Sequence, residues 1–259
     1  MANRVWVFDL DGTLMDTLDL YRKPLERAHA LIVEILGEKS PPLSEIKSRH
    51  SALDKELIYR INPLTKKPYL YTKCRFPTSF VEIFKILSKE AELELSAVDE
   101  RRYYNQLYKI GMETFKKERY KRKIKSQVLP LVKFLSSQED TLIILTKGDK
   151  GVQGDKRRVF KEVGLLRYFK EFIIVDDKKD RAFKDIRQRY PATEYYSVGD
   201  TYSWDILPAI KFGYFGIYTP SPANWMEMGK LKRIERRRSK INSNRYESLI
   251  EIKEKYRFL

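Results

Sequence analysis

Cysteine and histidine are scarce in this chain of 259 residues, and their scarcity excludes several kinds of site. The chain has one cysteine, Cys74, and two histidines, His29 and His50. A single cysteine rules out an internal disulfide framework and is typical of proteins in a reducing compartment. Three such residues are too few for an ordinary Cys/His zinc cluster. We therefore expect a cytoplasmic protein without disulfides or a zinc cluster.

Long apolar runs are also missing. No stretch approaches the roughly 20 apolar residues that a membrane-spanning helix needs. Met1–Arg4 leads directly into a strand-like segment, without the pattern of a signal peptide. Hydrophobic residues make up 42% of the chain and charged residues 34%, an ordinary balance for a soluble protein with a buried core. We expect no membrane partner.

The formal net charge of +16 is concentrated in two short runs. Lys116–Lys125 contains seven basic residues and one acidic residue, and Lys230–Arg245 contains eight basic residues and one acidic residue. The two runs hold 13 of the 16 excess charges, so the rest of the chain is nearly neutral. A charge run is usually a solvated helix face. As alternatives, the first run would attract an anionic substrate, and either run would bind nucleic acid.

Five short apolar segments predict strands that are buried on both faces, because they are rich in β-branched and aromatic residues and lack polar alternation. Helix-like segments alternate with them, which is typical of right-handed βαβ units. The sequence therefore predicts an α/β fold with a doubly wound parallel sheet. The predicted strands are Val5–Phe8, Thr141–Leu145, Phe172–Val175, Tyr195–Val198 and Tyr214–Tyr218, and the predicted helices are Ile124–Ser137, Val152–Leu166, Ala182–Tyr190 and Trp204–Phe212.

One insertion interrupts this alternation, between Asp16 and about Lys123. Amphipathic helix patterns occur there at Leu20–Leu36, Thr78–Lys89 and Ala97–Glu118, and the proline-containing segment 62–77 is predicted to be a loop. We expect residues 17–123 to form an all-α cap subdomain over the edge of the sheet. Residues 1–16 and 124–259 would then form the α/β catalytic core.

Polar side chains follow four of the predicted strands at their carboxyl ends, which is the edge where ligands bind to open α/β sheets. Acidic residues two positions apart repel each other unless a cation or a shared proton offsets their charge. The acidic residues suit a hard cation such as Mg²⁺, and a hydroxyl with a lysine suits phosphate oxygens. The polar residues are Asp9 and Asp11 after the first strand, Thr146 after the second, Lys178 and Lys179 after the third, and Asp200 after the fourth, with Asp205 five residues later.

These residues resemble the four motifs of the haloacid dehalogenase superfamily of phosphohydrolases, and they occur in the same order. Asp9-x-Asp11-Gly12-Thr13 resembles motif one, Thr146 motif two, a lysine after the third strand motif three, and Gly199-Asp200 with Asp205 motif four. The insertion corresponds to the helical cap that follows motif one in that superfamily. The resemblance covers the whole predicted core and is only general in the cap.

The resemblance implies a mechanism with Mg²⁺ as the cofactor. Asp9 would be the nucleophile that forms an aspartyl-phosphate. Asp11 would be the general acid and base, with its pKa raised toward working pH by neighbouring carboxylates. Mg²⁺ would be held by Asp9, the backbone carbonyl of Asp11 and Asp200, while Asp205 orients the metal site. Thr146 and the motif-three lysine would hold the phosphate.

Two points stay open at this stage, the motif-three lysine and the role of Lys147. Lys178 lies three residues after Val175 and five before Phe183, which is the spacing expected for the motif-three lysine. Lys179 is the alternative, because it is followed by Asp180 and a Lys-Asp pair also occurs in relatives. Lys147 replaces a small polar residue of the family and reaches either the phosphate or solvent. The presence of Asp11 favours phosphate esters over halogenated acids.

The resemblance thus predicts a phosphomonoesterase that acts on a small phosphorylated metabolite. One alternative is a phosphomutase or phosphotransferase on the same core. Another is a catalytically inactive binding module that contacts nucleic acid through the basic runs.

Overall fold

The computed structural model describes residues 3–176, 179–221, 243–246 and 248–256, and these residues form two compact units. An α/β unit consists of the described residues of Met1–Leu18 and Lys117–Leu259, and a helical unit consists of Asp19–Lys116. No helix in the described ranges combines the length and the apolar character that crossing a membrane requires.

A parallel sheet forms the centre of the α/β unit and confirms the predicted α/β class. Among the described residues it has six strands, in the order β3-β2-β1-β4-β5-β6. Five of them correspond to the predicted strands, and the last, β6, lies at the end of the second basic run and was not predicted. The strands are β1 (Arg4–Phe8), β2 (Thr141–Lys147), β3 (Glu171–Val175), β4 (Glu194–Gly199), β5 (Phe215–Tyr218) and β6 (Ser243–Arg245).

Helices α1 (Arg22–Leu36), α2 (Leu43–Leu57), α3 (Arg75–Glu90) and α4 (Ala97–Met112) build the helical unit. The insertion is therefore helical, as the sequence predicts, while its placement as a cap stays a prediction. The sequence pattern missed α2, because the buried face of α2 includes the polar residues His50 and Asp54. The predicted loop 62–77 also ends early, since α3 begins at Arg75.

The described residues of the α/β unit contain five further helices: α5 (Val128–Ser137), α6 (Lys150–Glu162), α7 (Asp180–Arg189), α8 (Leu207–Ile210) and α9 (Leu249–Tyr256). The predicted helix Trp204–Phe212 is instead a π-helical turn, Tyr202–Ile206, followed by the short α8. Single 3₁₀ turns occur at Thr17–Tyr21, Gly37–Lys39, Glu113–Phe115, Lys117–Arg119, Lys121–Lys123 and Leu166–Tyr168.

Strand β1 is buried on both faces. Val5 and Val7 pack into a cluster that contains Phe183 of α7 and Ala209 of α8. On the opposite face the ring of Trp6 meets the ring of Tyr256 of α9 edge-on, with centroids 5.1 Å apart. Full burial of a large apolar side chain stabilises a fold by about 1.5–3 kcal/mol. This packing fixes the position of the residue that follows β1.

The strand order reverses at β1, which lies between β2 and β4. The chain runs outward from β1 through β2 to β3 and then returns to β4 on the other side of β1. Such a switch point opens a crevice at the carboxyl ends of the two strands on either side of it. The backbone N–H of Asp9 donates to the carbonyl of Val198 at 2.8 Å. Asp9 therefore lies at this crevice.

Candidate active site

Asp9 forms a buried ion pair with Lys179, which immediately precedes α7. The Nζ atom of Lys179 lies 2.6 Å from Oδ1 of Asp9 and 2.6 Å from Oδ1 of Asp205. Burial would lower the pKa of Lys179, but the two carboxylates outweigh it and raise that pKa above its ordinary value. Burial in turn raises the pKa of Asp9 to about 7, against the lowering effect of Lys179.

Asp200 lies next to this pair and adds a further buried carboxyl group, which is 2% exposed. Its pKa is well above the ordinary value, first because of burial and then because of the charges on Asp9 and Asp205. Gly12 makes room for it: its φ is +85°, and a Cβ atom built on it would lie 2.1 Å from Oδ2 of Asp200. A side chain at position 12 would therefore displace the carboxylate.

The donor set fits a hard divalent cation. One carboxylate oxygen from each of Asp9, Asp200 and Asp205 lies within 4.8 Å of the others. Three carboxylates against the single positive charge of Lys179 leave excess negative charge in a buried place, which a cation offsets. Oxygen ligands of this kind suit Mg²⁺.

Asp205 is held through both of its carboxylate oxygens. Its Oδ1 accepts from Lys179, and its Oδ2 accepts from the backbone N–H of Thr201 at 3.0 Å. Its backbone carbonyl accepts from the hydroxyl of Ser197 at 2.8 Å. Because both carboxylate oxygens already accept hydrogen bonds, Asp205 is better placed to orient Lys179 than to bind a metal ion. Asp9 and Asp200 are then the better candidates for direct ligands.

Thr146, near the end of β2, is buried with an unused hydroxyl. It is 1% exposed, and no group in the described part of the chain forms a hydrogen bond with its Oγ1. Burying an unpaired hydroxyl is unfavourable, so this atom suits a ligand oxygen. The next residue, Lys147, places its Nζ 3.5 Å from the ring centroid of Trp204. The predicted phosphate contact of Lys147 thus competes with a cation–π contact.

The side chain of Asp11 lies in different surroundings from those that the sequence predicts. Its Oδ1 accepts from the hydroxyl of Thr17 and from Nζ of Lys156 at 2.6 Å, and its Oδ2 accepts from Nε2 of Gln153 at 2.8 Å. Burial would raise the pKa of Asp11, but Lys156 and these hydrogen bonds outweigh it and lower that pKa. The expected raised pKa was wrong, because Lys156 and the hydrogen bonds to Asp11 outweigh the effect of burial.

Of the two lysines considered for motif three, the structure places Lys179 at Asp9. Lys179 is 5% exposed. Lys178, which the spacing favoured, lies outside the described residues. The prediction of Lys178 relied on the spacing of the family motif, and spacing alone does not distinguish between two adjacent lysines.

Sequence reasoning missed Gln153, Lys156, Thr17 and Lys125. The first three bind Asp11, and Nζ of Lys125 donates to the carbonyl of Gly12 at 2.6 Å. Lys125 belongs to the first basic run, whose Lys117 also forms an ion pair with Glu162 at 2.6 Å. Part of that run is therefore used inside the unit. In the second run, positions 230–242 lie outside the described residues.

No protein-family model and no curated protein sequence matches this chain. Several solved structures are similar to it. A haloacid dehalogenase-like family hydrolase from Xanthomonas campestris is 20% identical with a TM-score of 0.60, covering 91% of this chain and 95% of its own. A HAD phosphatase from Thermococcus onnurineus is 18% identical with a TM-score of 0.55, covering 97% and 96%. A dehalogenase solved with an intermediate complex is 15% identical with a TM-score of 0.55, covering 97% and 96%.

Proposed function

We propose that this chain, which has the fold of the haloacid dehalogenase superfamily, is a Mg²⁺-dependent phosphohydrolase that hydrolyses a small phosphomonoester through an aspartyl-phosphate on Asp9. The observation that carries the proposal is the buried cluster of Asp9, Asp200 and Asp205 around Lys179 at the switch point of the sheet. The unpaired hydroxyl of Thr146 at the same edge supports it.

In the first step, a carboxylate oxygen of Asp9 attacks phosphorus and the ester P–O bond breaks. Lys179 binds Oδ1 of Asp9, which leaves Oδ2 as the nucleophile. Asp11, in its protonated form, gives its proton to the leaving oxygen; because Lys156 lowers the pKa of Asp11, this form is the minority at neutral pH. The Thr146 hydroxyl and Lys179 stabilise the phosphoryl oxygens.

In the second step, Asp11 takes a proton from water, and the resulting hydroxide attacks the aspartyl-phosphate. The bond between phosphorus and the Asp9 oxygen breaks, inorganic phosphate leaves, and Asp11 carries a proton for the next turnover. Lys156 favours the ionised form of Asp11, which is the form that accepts this proton. Mg²⁺ held by Asp9 and Asp200 would neutralise charge on the phosphoryl group.

The similar structures include a phosphatase and a dehalogenase, so the fold does not choose between the two reactions. Asp11 is the residue that favours phosphate esters. Attack by Asp9 on a carbon–halogen bond releases a halide ion, which needs no proton. An ester oxygen is a poor leaving group until it is protonated, and Asp11, two residues after Asp9, is the group that we propose supplies the proton.

The test is phosphate release from p-nitrophenyl phosphate, with and without Mg²⁺, and halide release from 2-chloropropionate. We expect Mg²⁺-dependent phosphate release by the wild type, no halide release, and a loss of at least about 10³-fold in Asp9→Asn. Asp185→Asn is the matched control, because Asp185 is half-exposed on α7 and forms a surface ion pair with Arg181. Halide release without phosphate release, or full activity in Asp9→Asn, would overturn the proposal.

A further inference from the structure

The inward face of α6 carries two polar side chains that the packing of the helix does not require. Asp149 caps the helix by accepting from the backbone N–H groups of Gly151 and Val152. Gln153 and Lys156, three residues apart, then lie on one face. They are 3% and 5% exposed, whereas Arg157 and Arg158 on the same helix are exposed. A buried lysine is rare unless it is paired.

Both side chains end on Asp11. Nζ of Lys156 lies 2.6 Å from Oδ1 of Asp11, and Nε2 of Gln153 lies 2.8 Å from Oδ2. Each carboxylate oxygen therefore has its own donor from α6, which restrains rotation of the carboxylate about its bond to Cβ. Gln153 also donates to the carbonyl of Lys147 at 3.1 Å. It thereby links Asp11 to the chain that follows Thr146.

The ion pair is asymmetric in exposure. The side chain of Lys156 is 6% exposed and that of Asp11 is 24% exposed. Asp11 keeps access to solvent at the crevice, while Lys156 is enclosed and depends on Asp11 to offset its charge. Asp11 is therefore the residue of the pair that can reach a ligand, and Lys156 is placed to hold its carboxylate from the interior.

We propose that Lys156 and Gln153 are positioning residues that hold the Asp11 carboxylate in the orientation needed for proton transfer to and from the phosphate ester; the inference rests on the proposed phosphohydrolase function. Proton transfer requires the carboxylate within hydrogen-bond reach of the leaving oxygen. A carboxylate that rotates freely is in that place for only part of the time, which lowers kcat and leaves substrate binding intact.

The first experiment compares two aryl phosphates with different leaving groups, p-nitrophenyl phosphate and phenyl phosphate. Phenolate is the more basic leaving group, so its ester depends more on the proton from Asp11. In Lys156→Met we expect kcat to fall about 10-fold on p-nitrophenyl phosphate and about 100-fold on phenyl phosphate, with KM within about threefold. Gln153→Leu should also lower kcat on both esters, by smaller factors. Lys156→Arg should keep most of the wild-type activity.

Lys161→Met is the matched control, because Lys161 lies on the same helix, is exposed, and loses the same charge. Its kcat should stay within about twofold of the wild type on both esters. Equal losses on the two esters in Lys156→Met, a rise in KM alone, or the same effect in Lys161→Met would overturn the positioning role. A wild type without phosphatase activity would overturn the proposed function and this role with it.

The second experiment needs no turnover. Thermal unfolding in Mg²⁺-free buffer is measured for Asp11→Asn, Lys156→Met and the double variant. Asp11→Asn should lower Tm more than Lys156→Met does, because it leaves the enclosed lysine without a counter-charge. The double variant should lower Tm by less than the sum of the two. Additive shifts would show that the two side chains do not support each other, and would contradict the proposal.

Discussion

The ammonium nitrogen of Lys179 and a carboxylate oxygen of Asp9 lie 2.6 Å apart in a buried site. Lys179 also bonds to Asp205 at the same distance, so one lysine joins the residue after β1 to the turn after β4. The pair therefore ties together the two sides of the crevice at the switch point.

We predict that Lys179→Met loses both stability and activity. Removing one partner of a buried ion pair typically costs about 3–5 kcal/mol, because the remaining charge is left uncompensated. Chemical denaturation measures the free energy of unfolding, and phosphate release measures the activity, which we expect to fall at least about 100-fold. Lys178→Met, one residue earlier, is the control and should keep most of the wild-type stability and phosphatase activity. The reverse result would assign the motif-three role to Lys178.

We predict that Mg²⁺ raises the melting temperature of the wild type and that this shift disappears in Asp200→Asn. A ligand at 100 times its Kd stabilises the folded state by about 2.7 kcal/mol, which corresponds to several degrees for a chain of this size. Without Mg²⁺ the variant should melt at or above the wild type, because it carries less repulsion with Asp9. Beryllium fluoride added with Mg²⁺ should raise the wild-type value further. An unchanged wild type, or an equal shift in Asp200→Asn, would contradict a cation site here.

We predict that Gly12→Ala weakens both the fold and the response to Mg²⁺. The backbone there has a φ of +85°, and the added Cβ would lie 2.1 Å from Asp200. Strain of this kind costs about 1–3 kcal/mol, and displacement of Asp200 should abolish the Mg²⁺-induced melting shift. Gly154→Ala in α6 is the control: nothing lies within 4 Å of its added Cβ, and alanine should raise helix stability by about 0.5–1 kcal/mol. Equal effects at both positions would refute the crowding argument.

The two histidines of the chain form a buried pair in the helical unit. Nε2 of His29 lies 3.1 Å from Nδ1 of His50, and Nε2 of His50 lies 2.7 Å from the hydroxyl of Ser79. Burial, and then the charge on Lys47, lowers the pKa of His29 to about 4. Burial, then His29 and Arg75, lowers the pKa of His50 to about 3. Both rings are therefore neutral in the folded protein at neutral pH.

We predict that this pair makes the protein less stable in mild acid. In the unfolded chain both histidines take up protons below about pH 6.5, whereas the folded state excludes those protons until pH 3–4. The stabilisation is thus fully present above pH 6.5 and is lost as the pH falls toward 4, by about 2–4 kcal/mol at pH 5. Urea unfolding at pH 7 and pH 5 measures it. The raised pKa values of Asp9 and Asp200 act in the opposite direction over this range, so the quantity that tests the pair is the difference between variants. Because the chain has no other histidine, the His29→Gln, His50→Gln double variant should gain about 2–4 kcal/mol at pH 5 relative to pH 7, compared with the wild type. An unchanged pH dependence of the free energy of unfolding in the double variant would contradict this role of the histidine pair.

The strands and the acidic residues after them were predictable, because their signals are local. Short apolar runs without alternation identify parallel strands, and Asp9 and Asp200 directly follow two of them. Helix α2 was not predictable from its pattern, since its inward face uses His50 and Asp54, and Asp54 pairs with Arg75 across to α3. Lys156 was missed for the same reason. A charged residue on a buried helix face becomes understandable only when its partner, far away in the sequence, is placed beside it.

The position of β1 in the middle of the sheet has a consequence for biosynthesis. β1 is made before the other described strands, and both of its edges pair with strands made much later, β2 and β4. Asp9 therefore lacks its hydrogen-bond partner Val198, and its neighbour Asp200, until these residues have been translated. In a ribosome-bound chain truncated before β4, Asp9 would lie beside an open strand edge, and such an edge is prone to aggregation.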